Sequence, residues 1–222
     1  MKIILIHGEH TLKAYERLQK LISVAKGRGW DIRRVGKAGE LPEKTVASGL
    51  FEEENIVVVK NAKNLSKDDI KWLNKNKDKK VTILIHNPGL LTKTFIKKLP
   101  SVEKNEEYKL TKKIWTFLDS FFPGNAKAAL TMFHEVIEKD APEFVFALLA
   151  RQLRDVYWVK KDAKTMSLPG WRIGKLKRQA GHFSEKKLKE IISQMAEIDV
   201  KVKTSKANLV QSLDFLIISQ LE

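Results

Sequence analysis

The chain changes its hydrophobic rhythm halfway along. Up to residue 110, short continuous apolar runs alternate with segments whose apolar residues recur at helical spacing. The runs are Lys2–His7 (KIILIH), a weaker one over Trp30–Val35, Ile56–Val59 (IVVV) and Val81–His86 (VTILIH), and a last strand is expected over Glu106–Leu110. Runs this short, rich in β-branched residues and bounded by polar positions, predict strands buried on both faces. Between them, Leu12, Tyr15, Leu18, Leu21, Ile22 and Ala25 predict a helix that Gly27 and Gly29 stop. Leu41–Leu50 predicts a short helix with Pro42 near its start, and Ser66 with Asp69 predicts a capped helix through Ile70 and Leu73. Thr92 starts a further helix carrying Phe95, Ile96 and Leu99, ahead of Pro100. Strands separated by helices imply a mainly parallel sheet covered on both faces, an α/β layout of nucleotide-binding type.

From Thr111 the strand signals stop. Ile114, Leu118 and Phe121 keep helical spacing; so do Ala129, Phe133, Val136 and Ile137, and then Leu148, Leu149, Leu153 and Val156. Asp140 and Glu143, with Pro142 between them, predict a capped helix start. After the break at Pro169-Gly170 come a short helix over Arg172–Ala180, one beginning at Ser184 and carrying Leu188 to Ile198, and a final one over Leu209–Ile217. The pattern predicts two domains, α/β over 1–110 and all-α over 111–222, with no linker or repeat between them.

Charge adds a partner class. Forty-two basic against 27 acidic residues give +15, with 23 and 14 of them in the first half and 19 and 13 in the second. An excess spread over both halves attracts polyanions, nucleic acid first among them. Two basic clusters can hold phosphates or simply form solvated faces. One is Lys75, Lys77, Lys79 and Lys80. The other comprises Arg172, Lys175, Lys177, Arg178, Lys186, Lys187 and Lys189, with Arg172, Lys175 and Arg178 as an outer stripe of the short helix. Trp72 and Trp171 lie nearest these clusters. The absence of cysteine excludes a disulfide scaffold and thiolate metal sites and fits a reducing cytoplasm. No apolar run is long enough for a membrane span, and the first apolar run is too short for a signal peptide.

Catalytic motifs fail on inspection. A phosphate-binding loop after the first strand needs G-x-x-x-x-G-K-[ST], whose glycines let backbone amides cradle phosphate. Here Gly8 is followed by Glu9-His10, with no second glycine and no Gly-Lys pair. His134-Glu135-Val136-Ile137-Glu138 starts like a zinc-protease helix but has Glu138 where the second histidine belongs. No cofactor or metal is implied. The stretch Leu50–Asn61 (LFEEENIVVVKN) sets a large apolar pair, Leu50-Phe51, beside three carboxylates, Glu52 to Glu54. Such a pair either closes the local core or plugs a partner's pocket.

In sum of these positions the chain resembles the delta subunit of the bacterial DNA polymerase III clamp loader. The resemblance is carried by Gly8-Glu9 without a Walker lysine, by Leu50-Phe51 ahead of Ile56–Val59 and Lys60-Asn61, and by residues of the second half. These are Asn125, Ala129-Leu130, Leu149, Arg151-Gln152, Arg154, Pro169, Trp171, Gln179-Ala180, Phe183-Ser184, Leu188, Asp199 and Lys203-Thr204. The resemblance implies a degenerate AAA+-like domain followed by a helical collar domain for loader assembly. It implies a non-catalytic cytoplasmic subunit that binds and opens the sliding clamp through Leu50 and Phe51. Its partners are the other loader subunits and primed DNA. Two departures stand out: the family's helical lid between the halves is missing, so this is a shortened form, and Glu52–Glu54 are acidic where small and basic residues are usual. The rival readings are a stand-alone basic DNA- or RNA-binding protein on a degenerate nucleotide-binding fold and an enzyme with a scattered site, which no motif favours.

Overall fold

The computed structural model describes residues 1–45 and 55–222. These divide into two compact units, Met1–Leu110 and Thr111–Glu222.

In the first unit β1 (Lys2–Gly8), α1 (Thr11–Gly27), β2 (Asp31–Val35), α2 (Leu41–Lys44), β3 (Asn55–Val59), α3 (Lys67–Lys75), β4 (Val81–Pro88), α4 (Lys93–Ile96) and β5 (Val102–Glu107) follow one another. The strands form one sheet in the order β2-β3-β4-β1-β5, every pairing parallel. This is the mainly parallel α/β layout expected from the sequence. The period of two along a strand sorts the core. Ile3, Leu5, Val57, Val59, Ile83 and Ile85 pack on one face with Leu73 of α3 and Leu99. Ile6, Ile56, Val58 and Leu84 pack on the other against Ala14, Leu18, Ile22 and Ala25 of α1. Both faces are therefore dry, which is why the three central strands read as unbroken apolar runs.

Two local expectations are corrected. The last strand is Val102–Glu107, not Glu106–Leu110. It lies at the sheet edge, pairs with β1 alone, and is mostly exposed and charged, so it has no apolar alternation to mark it. Tyr15 is half exposed rather than part of the inward face of α1, and its ring meets His86 edge-on at 6.3 Å.

The S-x-x-D signal before α3 forms a full capping box. The Ser66 hydroxyl accepts from the Asp69 amide (3.0 Å), and Asp69 Oδ2 accepts from the Ser66 amide (2.8 Å) and hydroxyl (2.7 Å). The same oxygen takes the Gly39 amide (2.8 Å), tying the turn before α2 to the start of α3.

The second unit holds α5 (Lys112–Ser120), α6 (Ala126–Ile137), α7 (Pro142–Asp162), α8 (Gly170–Gly181), α9 (Glu185–Lys203) and α10 (Leu209–Leu221). Its core draws Phe117, Phe121, Phe133, Leu149, Leu153, Leu188 and Leu213 from the expected faces. Only four residues separate β5 from α5, so the chain passes from sheet to helices with no lid between them. Pro142 opens α7 as expected, and the cap position falls on Ala141, which makes no side-chain cap bond, rather than on Asp140.

Asp69 gives a pH prediction. Burial opposes its ionisation, but the bonds from Ser66 and Gly39 outweigh burial and hold its carboxyl below the usual carboxylate range. A depressed folded pKa contributes stability that is complete above about pH 4 and is lost as pH falls through the folded value. Asp69→Ala is expected to lower the stability of the first unit by about 2–3 kcal/mol at pH 7 and to flatten its acid dependence. Hydrogen exchange of the α3 amides against pH measures both.

Candidate functional site

The carboxyl ends of parallel strands are where α/β folds bind ligands, and the loop after β1 is the place for a phosphate cradle. Here that loop is closed by its own protein. The Gly8 amide donates to the Gly89 carbonyl (3.0 Å) and the Gly89 amide returns to Gly8 (3.1 Å). The His10 amide goes to Tyr108 (2.9 Å), the Thr11 amide to Glu9 (3.0 Å) and the Lys13 amide to His10 Nδ1 (3.4 Å). A Cβ on Gly8 would lie 2.1 Å from the Tyr108 carbonyl oxygen, and Gly8 has φ +140°, so only glycine fits where β5 runs on past the loop. His7 is buried beside it. Its Nδ1 accepts the Leu91 amide (3.2 Å), which leaves Nε2 to donate to Asn105 Oδ1 (2.9 Å). From the other side Arg17 forks onto Glu106 (2.7 and 2.8 Å) and the Tyr108 hydroxyl donates to the same carboxylate (3.0 Å). Chiefly through Arg17, the Glu106 carboxyl is held below its usual range. Amides that would face a phosphate are thus spent on strand ends and on α1.

Leu50 and Phe51, with Glu52–Glu54, lie outside the described residues. The chain leading toward them is fastened. Glu40 Oε2 accepts the Gly36 (2.8 Å) and Lys37 (3.1 Å) amides, and Asn64 Nδ2 donates to the Gly36 carbonyl (3.1 Å). The chain leaving them enters β3, whose Val57–Val59 are fully buried.

In the second unit the structure gathers side chains around the end of α5. A helix C-terminus presents unpaired carbonyls. The Ser120 hydroxyl takes that of Phe117 (2.7 Å), and Asn125 Nδ2 takes that of Ser120 (2.8 Å). Gln179, buried on α8, donates to both Leu118 (2.8 Å) and Phe121 (3.0 Å). The Gln179 oxygen in turn accepts from Gln152 Nε2 of α7 (2.7 Å), itself buried, and Arg172 Nη2 reaches the Gln152 oxygen (3.3 Å). One relay of amides therefore joins three helices.

The expected basic stripe sits on this relay. Arg172 lies half-buried over the Trp115 ring (4.6 Å) and Lys175 pairs with Asp119 (3.0 Å). Arg178 is exposed and makes no ion pair among the described residues. Lys186 is exposed and Lys187 half-buried on the first turn of α9. Of the second cluster, Lys79 covers the Trp72 ring (4.8 Å). The near-miss zinc motif is an ordinary helix face: His134 Nε2 meets Asp214 Oδ1 (2.9 Å) and Lys113 meets Glu135 (2.7 Å). Asp119, Phe122 and His182 were not singled out by the sequence. They carry no motif, and Asp119 meets Lys175 only through a contact 56 residues apart.

Large apolar surface also stands open on this unit. Between α7 and α9 runs an apolar groove of about 560 Å³ lined by Phe146, Ala147, Ala150, Ile192, Met195 and Ala196. Phe215 is 73% exposed and Trp171 66% exposed. Among the described residues no helix is long and apolar enough to cross a membrane.

The chain thus joins a parallel α/β sheet unit with a closed first loop to a helical unit with open apolar surface. The family model described as DNA polymerase III delta subunit, C-terminal domain, matches residues 111–220. The helical unit matches that family's model, and this match supports reading the chain as delta-like. Among solved structures, the chain is similar to the Bacillus subtilis DNA clamp loader delta protein, with 14% identity, 99% of this chain and 95% of that one covered, and a TM-score of 0.45. It is also similar to a DNA polymerase III gamma subunit-related protein from Thermotoga maritima, with 12% identity, 98% and 93% covered, and a TM-score of 0.34. Both likenesses are loose in three dimensions, and the assignment rests on the family model. No curated protein matches the chain significantly.

Several of the residues that carry the resemblance in this unit have fold-keeping contacts. Gln152, Gln179 and Asn125 close the end of α5, Ser184 caps α9 through the Lys187 amide (3.1 Å), and Asp199 pairs with Lys203 (2.6 Å). Gln179→Leu keeps the volume but strands two buried carbonyls and Gln152. It is expected to destabilise the helical unit by about 2–4 kcal/mol, read as an earlier thermal unfolding transition, whereas Asp199→Ala on the exposed pair is expected to cost under about 1 kcal/mol.

Proposed function

We propose that this chain binds the sliding clamp and opens it within a DNA polymerase III clamp loader in the cytoplasm, without hydrolysing ATP itself. The delta-family match of the helical unit carries the reading. The engaged amides of the β1 loop and the absence of a Gly-Lys-Ser/Thr sequence support a subunit that leaves nucleotide chemistry to its partners. Leu50 and Phe51 are the proposed clamp contact: two adjacent large apolar side chains give a small interface its anchors. Glu52–Glu54 would set the electrostatics of that contact. The helical unit is proposed to pack against other loader subunits. Its apolar groove between α7 and α9 is the kind of surface such packing covers. Primed DNA would be met within the assembly. Of the five basic residues considered for that contact, Arg178, Lys186 and Lys187 are better placed than Arg172 and Lys175, which already serve the fold.

Opening follows from differential binding. A protein that prefers the opened interface shifts the ring's equilibrium by the free-energy difference between its two affinities, and by no more. The contact is tested with the clamp of the same organism by surface plasmon resonance, comparing wild type with Leu50→Ala/Phe51→Ala. Losing two central apolar anchors is expected to weaken binding at least about 100-fold with the circular dichroism melt unchanged. Equal binding by both proteins would remove the pair from the interface.

A further inference from the structure

The amino-terminal edge of the sheet carries a lysine patch that the fold leaves largely unneutralised. Helix α3 ends at Lys75, a tight turn follows, and β4 starts at Val81. The turn is set by the Lys79 amide on the Asn76 carbonyl (3.1 Å) and by Asn76 Nδ2 on the Trp72 carbonyl (2.9 Å). Lys75, Lys77, Lys79 and Lys80 are all exposed on it. The chain's amino group donates to the Lys77 carbonyl (2.7 Å), and Asn74 Nδ2 donates to the Lys98 carbonyl (2.9 Å), so two more cations join the patch. Lys75, Lys77 and Lys98 make no ion pair among the described residues, and the one carboxylate within the turn is Asp78. Two features set this patch apart from a phosphate groove. It holds no arginine, and so no planar fork for phosphate oxygens. Its one ring, Trp72, packs against the core and has Lys79 Nζ over it (4.8 Å), which makes it a poor platform for a base.

The position of the patch points to its partner. Asn55 is the register partner of Val81, so the entry of β3 lies one strand spacing, about 5 Å, from the end of the lysine turn. Leu50 and Phe51 precede Asn55 by five and four residues in the sequence, and four residues span at most about 14 Å. A partner seated on that pair therefore comes within reach of the lysine field. Glu52–Glu54 would by themselves repel an acidic partner, but the amino group and the lysines outnumber them together with Asp78. We propose that Lys75, Lys77 and Lys79 form an electrostatic docking surface for an acidic face of the same protein that takes Leu50 and Phe51. The inference rests on the clamp reading above, and its partner is the clamp. The patch acts on the rate of encounter and leaves the lifetime of the complex to the apolar anchors. Exposed lysines are flexible point charges worth little in a formed contact, yet their field draws an oppositely charged surface in from solution. Charges at a rim change association and its salt dependence, whereas buried anchors change dissociation.

The test is stopped-flow association of the full chain with fluorescently labelled clamp of the same organism, at about 50 mM and about 500 mM salt. Lys75→Gln/Lys77→Gln is expected to lower the association rate constant at least about threefold at low salt, with dissociation changed less than about 1.5-fold and the difference gone at high salt. Reversing both charges, Lys75→Glu/Lys77→Glu, is expected to lower it at least about tenfold. The control Lys60→Gln/Lys63→Gln removes the same charge from exposed positions beyond the other end of β3, about 17 Å along the strand, and is expected to change association less than about 1.5-fold. Circular dichroism melts of all variants are expected to match wild type. If the patch pair and the control slow association equally, or if the patch pair acts on dissociation alone, the docking surface is overturned while clamp binding stands. A wild type that does not bind the clamp overturns the clamp reading and this inference with it. Anisotropy with a labelled DNA duplex separates the other polyanion. A patch variant that loses duplex affinity beyond the control while its clamp association is unchanged marks a nucleic-acid surface and overturns the proposal.

Discussion

The helical unit depends on one buried side chain. Gln179 neutralises the carbonyl end of α5 and is steadied from α7 by Gln152, so three helices share two amide groups. An unpaired carbonyl in such a place costs more than a typical hydrogen bond returns, and this makes the relay a constraint on sequence as well as a contact. Around it the surface charges arrange themselves by the same logic. Lys175 and Asp119 close the outside of the junction, Arg172 lies across Trp115, and Lys160 Nζ reaches the Ala180 carbonyl (3.2 Å) near the end of α8. Polar cross-links of this kind are satisfied only in one arrangement of helices.

The sheet unit uses its constraint differently. In a nucleotide-binding relative the loop after the first strand leaves amides pointing outward. Here Gly8, His10, Thr11 and Lys13 turn theirs onto Gly89, Tyr108, Glu9 and His10. The hydrogen bonds that such a loop would lend to a ligand have become part of the fold. The closed loop and the missing lid agree, since a lid serves to complete a nucleotide site. What remains is a sheet packed on both faces.

The strands buried on both faces were legible because Ile56–Val59 is apolar throughout and Val81–His86 is apolar but for Thr82 and His86, and the α3 start was legible because Ser66 and Asp69 satisfy each other at a fixed spacing. The edge strand was misplaced because Val102–Glu107 faces water and needs only backbone pairing with β1. The α7 start was legible from Pro142, which opens the helix where a missing amide costs nothing, although the cap position is Ala141 rather than Asp140. The basic stripe on α8 was legible as composition, but sequence could not say that Arg172 and Lys175 were already engaged. That depends on Gln152, Trp115 and Asp119, which lie 20 to 57 residues away. For the same reason the Asp119–Lys175 pair left no trace in the pattern. Leu50-Phe51 was visible only as an apolar pair in an acidic setting, and its role rests on resemblance.

The central claim is that the chain prefers an opened clamp to a closed one. The most direct measurement compares its affinity for the intact clamp ring with its affinity for the same clamp made monomeric by substitutions in the ring interface. A wrench must bind the monomer more tightly, because no free energy is then spent on parting the ring. The account predicts a monomer dissociation constant at least about tenfold lower, a difference of about 1.4 kcal/mol. Equal affinities would mean that the chain holds the clamp without opening it and would contradict the account.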